Sequence, residues 1–458
     1  MKQPIEEAIE RFRLLNGRYI KTERYYAGNH DLAFATEKFR NTFGTLFREF
    51  ALNLCPAICD AVRDKLRVTG FSVDHIGKPN LPDADVGREA RRIWHTNRMR
   101  SRAAGVHTEA LKNGDAYAII WPDSRGRATI YPNRAATCTV IYDDEQPGKI
   151  VRAAKYWRTS NKRIRLNLFY ADRIEKYISI NTSDGSLPDA SGFQPFGGGD
   201  AGTSSGIHGS FPASPRPALA ASLVSASDSV IPNPYGVVPV FHFANNADLG
   251  LPGRSEIEPA IPIQDGLNKS MLDMLVAMEF SAFRQRWAAG IEIDYDQDGK
   301  PITPFRAGVD HVWMSQNADT KFGDFETANL EQFLKVKDSF RIDMALVTGT
   351  PLHYFTPNLQ GSHSFESLKK SETRFLAKVH NRHESFGQVW GDVMEFALAI
   401  EGFGNDVRLL TEWEDPAPMS DREFLENILL KKQIGLPVEQ ALTEAGYGEA
   451  DVRRMIGG

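Results

Sequence analysis

The sequence is short of cysteine, of long apolar runs and of excess positive charge. Its 458 residues include only three cysteines, Cys55, Cys59 and Cys138, which are too few for a disulfide framework and favour a reducing compartment. No uncharged apolar run approaches the ~20 residues needed to span a bilayer, and the charged N-terminal stretch lacks the apolar centre of a signal peptide. The sequence therefore predicts a protein of cytosol-like surroundings with no membrane partner.

The balance of charge excludes one class of nucleic-acid binder. The chain carries 54 lysine and arginine residues against 59 aspartate and glutamate residues, a formal net charge of −5 at pH 7. A protein held to nucleic acid by its overall charge needs the opposite balance, because neutralising phosphates releases their counterions. Any contact with DNA is therefore expected to be local or weak.

Motifs of nucleotide binding and catalysis are also missing. The stretch Asn268-Lys269-Ser270 lacks the glycine before lysine that lets backbone amides approach a phosphate. No G-x-S-x-G elbow occurs, and histidines and aspartates are scattered without a spacing that picks out a triad. The sequence predicts no catalytic residue, no cofactor and no bound metal.

One stretch matches the opening of a calcium-binding loop. Asp294–Gly299 has the D-x-D-x-D-G pattern, but the twelfth position is Phe305 where a bidentate glutamate is needed, and Pro301 interrupts the loop. We interpret this stretch as a polar β-turn.

A second stretch carries a possible metal-ligand pattern. His380, His383 and Glu384 fall in the order H-x-x-H-E, which is neither of the known zinc-helix orders. Histidines three apart share one side of a helix, so a metal-dependent enzyme using these residues is an alternative, which metal analysis would test. Polar contacts at the surface or between subunits are the preferred interpretation.

The first half of the chain reads as helices followed by strands. Helices are predicted over residues 1–30, over 53–66 with Cys55 and Cys59 buried on one side, around Ile93, and over 102–113. Short runs rich in β-branched and aromatic residues predict an antiparallel sheet with a polar open face. These runs are Ala116–Trp121, Thr129–Pro132, Thr137–Tyr142, Ile150–Tyr156, Arg163–Tyr170 and Arg173–Ile178. A further strand, Val237–Phe243, is predicted after residue 229.

The second half is dominated by helices of regular apolar spacing. Helices are predicted over Ile263–Arg286, Leu330–Thr348 and Phe365–Glu401, the last with Gly387 and Gly391 allowing a bend. Between the first two lies a β-rich piece with strands Gly290–Asp296, Asp310–Met314 and Thr320–Phe325, and after the third comes a strand Asp406–Trp413. A capping box at Ser420 and Glu423 opens the C-terminal helices.

Two segments stand out by composition. Residues 181–229 are mostly Gly, Ser, Ala, Pro and Asp and predict a long, mobile insertion, because they bury too little apolar surface to offset their ordering entropy. The loop Leu352–His363 contains no Lys, Arg, Asp or Glu. It carries amides, hydroxyls and aromatics, which are not the groups of a catalytic loop.

A set of short stretches occurs along the chain in the order found in one known family. They are Tyr25-Tyr26-x-Gly28, Asn53 through Gly70-Phe71, Trp94, Ala110 through Tyr117, Asn233 through Val240, Arg286 through Ile291, Thr348 through Pro351, and Trp413 through Pro416. On these residues the chain resembles the Gp6-like portal family of siphophages, whose members are portal proteins of tailed bacteriophages. The segment 181–229 lies outside the resemblance.

The resemblance implies an α+β portal fold. Residues 1–250 would form the wing (with the insertion 181–229), 251–286 the first stem helix, 287–326 the β-rich clip and 327–348 the second stem helix. Residues 349–363 would form the tunnel loop, 364–416 the long wing helix with a return strand, and 417–458 a C-terminal helical crown.

The resemblance also implies a function without enzymatic activity. The protein would be a head-tail connector, a dodecameric ring at the capsid vertex of the virion that is assembled in the host cytoplasm and conducts double-stranded DNA without sequence specificity. Its other partners would be the terminase large subunit, a head-completion or adaptor protein, and the major capsid and scaffolding proteins. A different phage structural protein is the remaining alternative.

The resemblance places candidate site residues in three parts of the chain. The tunnel-loop residues expected to face DNA are Thr356, Asn358, Gln360, Ser362 and His363, with Tyr354 and Phe355 packing at the loop base. On the stem, Lys269, Lys335, Lys337 and Arg341 would face the channel or pair with acids of a neighbouring subunit. In the clip, Arg284, Arg286, Trp287 and Trp313 are candidate partner contacts, although core packing explains the tryptophans equally well.

Overall fold

The computed structural model describes residues 3–37, 40–42, 44, 51–73, 83–196, 229–247, 252–282, 286–290, 298, 319–324, 330–356, 370, 372–403, 407–417, 421–444 and 449–456. The chain divides into two compact units. The first comprises Met1–Thr22, Ile58–Glu256 and Gly349–Gly458, and the second comprises Glu23–Ala57 and Ile257–Thr348.

Helices and strands alternate in long blocks. The helices are α1 (Pro4–Tyr26), α2 (Cys55–Arg63), α3 (Asp83–Thr96), α4 (Met99–Asn113), α5 (Ile261–Ala282), α6 (Glu331–Thr348), α7 (Thr373–Ile400), α8 (Asp421–Gln433), α9 (Val438–Glu444) and α10 (Glu449–Ile456). The strands are β1 (Val68–Val73), β2 (Asp115–Pro122), β3 (Ala128–Arg134), β4 (Cys138–Tyr142), β5 (Ile150–Arg158), β6 (Ile164–Phe169), β7 (Arg173–Ser179), β8 (Phe193–Pro195), β9 (Val230–Pro232), β10 (Val240–Ala244), β11 (Arg286–Ala289), β12 (Lys321–Asp324) and β13 (Leu409–Trp413). The mixed helix-and-sheet class predicted from the sequence is confirmed.

The predicted strands of the first unit form two sheets where the sequence predicted one. A six-stranded sheet has the order β4-β5-β6-β7-β8, with β9 also pairing with β7. A separate three-stranded sheet has the order β10-β2-β3. Every pairing is antiparallel, as predicted.

The prediction of a polar open face is wrong for β2. All eight of its residues are buried, because one face packs towards the six-stranded sheet and the other, with Ala116 and Ala118, lies against helices α4 and α7. A strand that is covered on both faces does not alternate between apolar and polar residues.

Helix α1 covers one face of the six-stranded sheet. Ile5, Ala8, Ile9 and Phe12, spaced at threes and fours, pack on apolar side chains of β5, β6 and β8. The ring of Phe12 meets that of Tyr156 edge-on at 4.8 Å.

The prediction that residues 181–229 form a mobile insertion is wrong for the N-terminal part of this segment. Strand β8 pairs with β7 in this stretch, and Phe193 is 9% exposed within the sheet's core. Residues 197–228 lie outside the described ranges.

Helix α7 runs through the first unit and is the best predicted element. Its stripe of Phe375, Val379, Phe386, Trp390 and Val393 is fully buried. The helix ends at Ile400 beside the predicted end, but it begins at Thr373, after a turn at Glu372, and so later than the predicted Phe365. Residues 364–369 and 371 lie outside the described ranges.

The glycines of α7 make a close contact that the sequence did not predict. Strand β13 crosses the helix and pairs with β1, a strand that the sequence did not predict. A Cβ on Gly391 would lie 2.5 Å from the carbonyl oxygen of Leu409, and one on Gly387 would lie 2.9 Å from the indole nitrogen of Trp413. Glycine at both positions lets the strand backbone approach the helix.

The second unit is built on α5 and α6, which pack against each other with Phe340 on α6 lying against Gly266 of α5. The predicted apolar stripe of α5 is only partly buried, since Leu267 is buried but Met278 is 45% exposed. The first turns of α5 instead bury polar side chains, Gln264, Asp265 and Asn268.

Those polar side chains are paired with the last turn of α1 and with the segment that follows it. The hydroxyl of Tyr25 donates to Asp265 Oδ1 at 2.7 Å, and Asn268 Nδ2 lies 2.8 Å from His30 Nδ1. The amide of Gln264 donates to the Leu52 carbonyl and accepts from the Leu54 N–H. These hydrogen bonds give the buried side chains of Gln264, Asp265 and Asn268 partners within the second unit.

The predicted helix Ile263–Arg286 is too long at its end. Helix α5 is described to Ala282, and Arg286 begins strand β11, which pairs antiparallel with β12 in the register Arg286 to Asp324. Only Gly290 of the predicted strand Gly290–Asp296 lies in the described ranges, and Asp310–Met314 lies outside them. The C-terminal helices follow as predicted, α8 beginning directly after Ser420.

Candidate channel and docking surfaces

The basic residues of α5 and α6 are paired in part with acids of their own helix. Lys269 Nζ lies 2.6 Å from Asp273 Oδ2, one turn further along α5. Arg341 Nη1 lies 3.2 Å from Asp338 Oδ1 on α6. Lys335 is exposed and Lys337 half-buried. Such pairs, three or four residues apart on one helix, offset the charge of Lys269 and of Arg341 locally without fixing a partner elsewhere.

Helix α6 leaves large aliphatic side chains in solvent. One side packs on α5 through Phe340 and buries Met344. The remaining surface exposes 48% of Leu334, 52% of Ile342 and 66% of Leu346. Apolar side chains grouped on an exposed helix mark an interaction surface more often than scattered ones do.

The uncharged loop begins with a packed turn. Leu352–Tyr354 form a 3-10 turn, Phe355 is 3% exposed, and the ring of Tyr354 lies 5.6 Å from that of Phe375 on α7. This agrees with the predicted packing of the two aromatics at the loop base.

The same turn is tied to the start of α7 by polar contacts. His353 Nε2 lies 3.4 Å from Glu372 Oε1, and Glu372 is buried. Thr356, one of the predicted DNA-facing residues, donates its hydroxyl to the Leu352 carbonyl at 3.0 Å. The other four, Asn358, Gln360, Ser362 and His363, lie outside the described residues.

Strands β11 and β12 present aromatic side chains to solvent. Trp287 pairs with Gly323 across the two strands and is 38% exposed, and Phe322 is 43% exposed. A Cβ on Gly323 would lie 2.5 Å from the Trp287 ring, so the indole lies flat over the glycine. Arg284 and Trp313 lie outside the described residues.

The candidate metal residues on α7 have other partners. His383 is stacked on Trp413 with ring centroids 4.6 Å apart, and its Nε2 lies 3.0 Å from the Lys65 carbonyl oxygen, to which it donates. Burial lowers the pKa of His383. His380 and Glu384 are exposed, and the described part of the chain holds no group of three or more metal-ligating side chains.

A buried ionic network was missed by the sequence analysis. Asp115, at the start of β2, is fully buried. Its Oδ2 accepts from the Tyr19 hydroxyl at 2.6 Å and from Arg18 Nη2 at 3.0 Å, and its Oδ1 accepts from the Gly253 N–H at 2.7 Å and from His242 Nε2 at 2.8 Å. The sequence places Asp115 directly after Gly114, a residue typical of turns. The partners of Asp115 come from three distant parts of the chain, so the sequence does not reveal them.

The electrostatics of Asp115 follow from these contacts. Burial alone would raise its pKa, but the hydrogen bond and charge of His242, with the bonds from Tyr19 and Gly253, hold the pKa below its ordinary value. Burial beside Asp115 raises the pKa of Tyr142, whose hydroxyl lies 2.7 Å from His242 Nδ1, to about 12.

Several residues that carry the family resemblance hold the backbone in place. Gly114 has φ +93°, and a Cβ there would lie 2.4 Å from the Gly253 carbonyl oxygen. Asn233 donates its side-chain amide to the carbonyls of Tyr170 and Val237. These two residues of the resemblance therefore act on the backbone conformation of the fold.

Together these features define a protein of mixed α and β class, in which α5 and α6 pack against each other within one unit and the turn Leu352–Tyr354 packs on the long helix α7 within the other. The chain belongs to the phage portal protein family of the SPP1 Gp6-like type, whose model matches residues 9–445. The predicted family is thus confirmed.

Two curated relatives of this chain are named portal proteins. The portal protein of Mycobacterium phage L5 is 28% identical over 238 residues, and that of Mycobacterium phage D29 is 27% identical over 237 residues. Each match covers 49% of this chain. The chain spans about half the length of the curated relatives it matches, 49% and 48% respectively.

Two solved structures are similar over most of their length. One is the neck of an empty GTA particle computed with C6 symmetry, at 11% identity, a TM-score of 0.42, and 93% of this chain and 94% of that chain covered. The other is the neck of a native GTA particle computed with C12 symmetry, at 12% identity, a TM-score of 0.42, and 94% and 99% covered. Among the described helices, none has the length and apolar character needed to cross a membrane.

Proposed function

We propose that this protein is a portal protein, the head-tail connector at the capsid vertex of a tailed phage. The observation that carries the proposal is membership of the portal family over residues 9–445. Its role is structural, with no catalytic centre, in the virion and, during assembly, in the host cytoplasm.

The proposed oligomer is a dodecameric ring. The support for it is the exposed aliphatic surface of α6, where Leu334, Ile342 and Leu346 lie in solvent in a single chain. The apolar area of such a helix is removed from water when a neighbouring copy packs against it. Lys335 and Lys337, in this arrangement, lie near the channel or near acids of the next subunit.

The proposed channel passes double-stranded DNA without gripping it. Each fixed contact between a cation and a phosphate adds affinity through counterion release, so a conduit for any sequence needs few free cations. The uncharged loop and the pairing of Lys269 with Asp273 and Arg341 with Asp338 support this. Thr356, Asn358, Gln360, Ser362 and His363 remain the proposed loop contacts.

The β11–β12 strands are the proposed docking site for other proteins. Exposed Trp287 and Phe322 support this, because aromatic side chains are enriched at interfaces. The proposed partners at this end are the terminase large subunit and later a head-completion or adaptor protein, with Arg284, Arg286 and Trp313 as further contacts. The major capsid and scaffolding proteins would bind the outer part of the ring.

The ring is tested by native mass spectrometry and electron microscopy of the purified chain. We expect a closed ring of copies. Leu346→Glu should shift the population to monomers, because it places a charge in the apolar contact, whereas Leu346→Met, which keeps volume and polarity, should not. Only monomers and dimers of the wild-type chain at all concentrations, with no ring in particles, would refute the proposal.

A further inference from the structure

One face of the six-stranded sheet changes character along its strands. Near its middle the face is apolar and belongs to the core shared with β2. Towards the end of β5 and the start of β6 it becomes cationic and aromatic. The cross-strand rows are Ala153–Phe169, then Lys155–Asn167, then Trp157–Arg165. We call Lys155, Trp157, Arg165, Asn167 and Phe196 the sheet-end site.

Arg165 is held between two aromatic rings. Its guanidinium carbon lies 5.3 Å from the centroid of Trp157 and 3.7 Å from that of Phe196, and the residue is 9% exposed. Within the described part of the chain its Nε has no hydrogen-bond acceptor. The rings supply no hydrogen-bond acceptor, and a guanidinium presents its donors in a planar fork that binds a carboxylate through two hydrogen bonds.

Lys155 adds a second cation to the site. Its ammonium lies 5.6 Å from the Trp157 ring, and burial lowers its pKa. In the described residues neither Lys155 nor Arg165 forms an ion pair. Two partly desolvated cations on one face attract an anion more strongly than two solvated ones.

Asn167 adds an acceptor that lacks a donor. It is 2% exposed, and its Oδ1 has no hydrogen-bond partner among the described residues. A buried acceptor left without a donor destabilises the fold. Asn167 and Arg165 lie two residues apart on the same face, about 6.6 Å along a strand rising ~3.3 Å per residue.

The site therefore calls for a ligand that has both an anion and a hydrogen-bond donor. A phosphodiester backbone supplies acceptors only, so it would leave the Asn167 oxygen without a donor. A glutamate or aspartate residue supplies a carboxylate and, a few ångströms away, a backbone N–H. We propose that the sheet-end site binds an acidic side chain of a partner polypeptide, with the carboxylate on Arg165 and Lys155 and the peptide N–H on Asn167.

The test measures the binding of blocked alanine-based peptides to the full chain through the change in tryptophan fluorescence. The variant Trp157→Phe shows which part of that change comes from Trp157. A peptide with one central glutamate should bind saturably, and its glutamine counterpart should bind at least about tenfold more weakly, since hydrogen bonds to charged groups are worth more than 1.4 kcal/mol. Methylating the glutamate N–H should also weaken binding, a result that depends on no protein variant.

Variants locate the binding. Arg165→Lys keeps the charge and loses the planar fork, so the glutamate peptide should bind at least about tenfold more weakly. Arg158→Lys, on the opposite face of β5, should bind it as the wild type does. Equal binding of the glutamate and glutamine peptides, unchanged binding in Arg165→Lys, or tighter binding at this site of a DNA duplex or inorganic phosphate would overturn the proposal. None of these outcomes depends on whether the chain forms a ring.

Discussion

Asp115 is a charge held entirely by neighbours from other parts of the chain. Arg18 and Tyr19 come from α1, His242 from β10 and the Gly253 N–H from the segment that follows β10. A buried carboxylate is tolerated when its oxygens are fully hydrogen-bonded and a cation is near. The residue therefore joins α1, the three-stranded sheet and residue 253 within the first unit.

Replacing Asp115 with asparagine should destabilise the protein. Asp115→Asn removes the anion but leaves Arg18 and the donors of Gly253 and His242 in place, and breaking a buried pair costs about 3–5 kcal/mol. Urea unfolding followed by tryptophan fluorescence measures the loss. Asp144→Asn, at an exposed loop position, should change the free energy of unfolding by less than about 0.5 kcal/mol.

The same contacts give a pH dependence. The folded-state pKa of Asp115 lies below its ordinary value of 3.8, so the ionised group stabilises the fold above that pH and the stabilisation is lost as pH falls through the folded-state pKa. The difference in free energy of unfolding between wild type and Asp115→Asn should therefore shrink below pH 3.8. A difference that is constant from pH 6 to pH 3 would contradict the assigned ionisation.

At the scale of elements, the contact of α7 with β13 shows what glycine does inside a long helix. Gly387 and Gly391 are one turn apart, and both face β13 where the strand crosses. The Thr411 hydroxyl donates to the Gly387 carbonyl at 2.7 Å, and the Glu395 carboxylate accepts from the Leu409 N–H at 2.8 Å. The helix thus gives up some intrinsic stability and gains a closely packed strand.

Gly391→Ala should destabilise the protein although alanine favours helix. Its Cβ would meet the Leu409 carbonyl oxygen at 2.5 Å, and forcing atoms into a packed site costs about 1–3 kcal/mol. The matched control is Gly105→Ala in α4, where nothing lies within 4 Å of the new Cβ, so the protein should gain about 0.5–1 kcal/mol. Thermal unfolding of both variants gives the two signs, and stabilisation by Gly391→Ala would refute the close contact.

An element is predictable from the sequence when the pattern that buries it lies within its own segment. Helix α7 was predicted well because its buried stripe repeats within one segment. Strand β1 was missed because it is short, contains Gly70, and pairs with β13 near the other end of the chain. The roles of Gly391 and Asp115 depend on residues distant in sequence, and no local pattern encodes them.

At the scale of the whole molecule, the proposed ring repeats the same loop in every copy around the channel. Every copy contributes a segment, Leu352–His363, that contains no Lys, Arg, Asp or Glu, and the turn at its start is packed on α7 through Tyr354 and Phe355. A packed base fixes the position of each loop while its composition limits attraction to phosphate. In a ring, one charge added to each loop gives one charge per subunit all around the channel.

Replacing Asn358 and Gln360 together with lysine should leave ring assembly intact and impair DNA packaging. Each lysine adds a site where counterions are released on contact with phosphate, so moving DNA would be held by the loops of all copies. The neutral exchange Asn358→Gln with Gln360→Asn keeps polarity and charge and should package normally. Electron microscopy measures ring formation, and the amount of nuclease-protected DNA per particle measures packaging. Because the added attraction is electrostatic, the defect should be smaller at higher salt, whereas a defect caused by misfolded loops would not respond to salt. Normal packaging by the double lysine variant would contradict the proposal that this loop lines the channel.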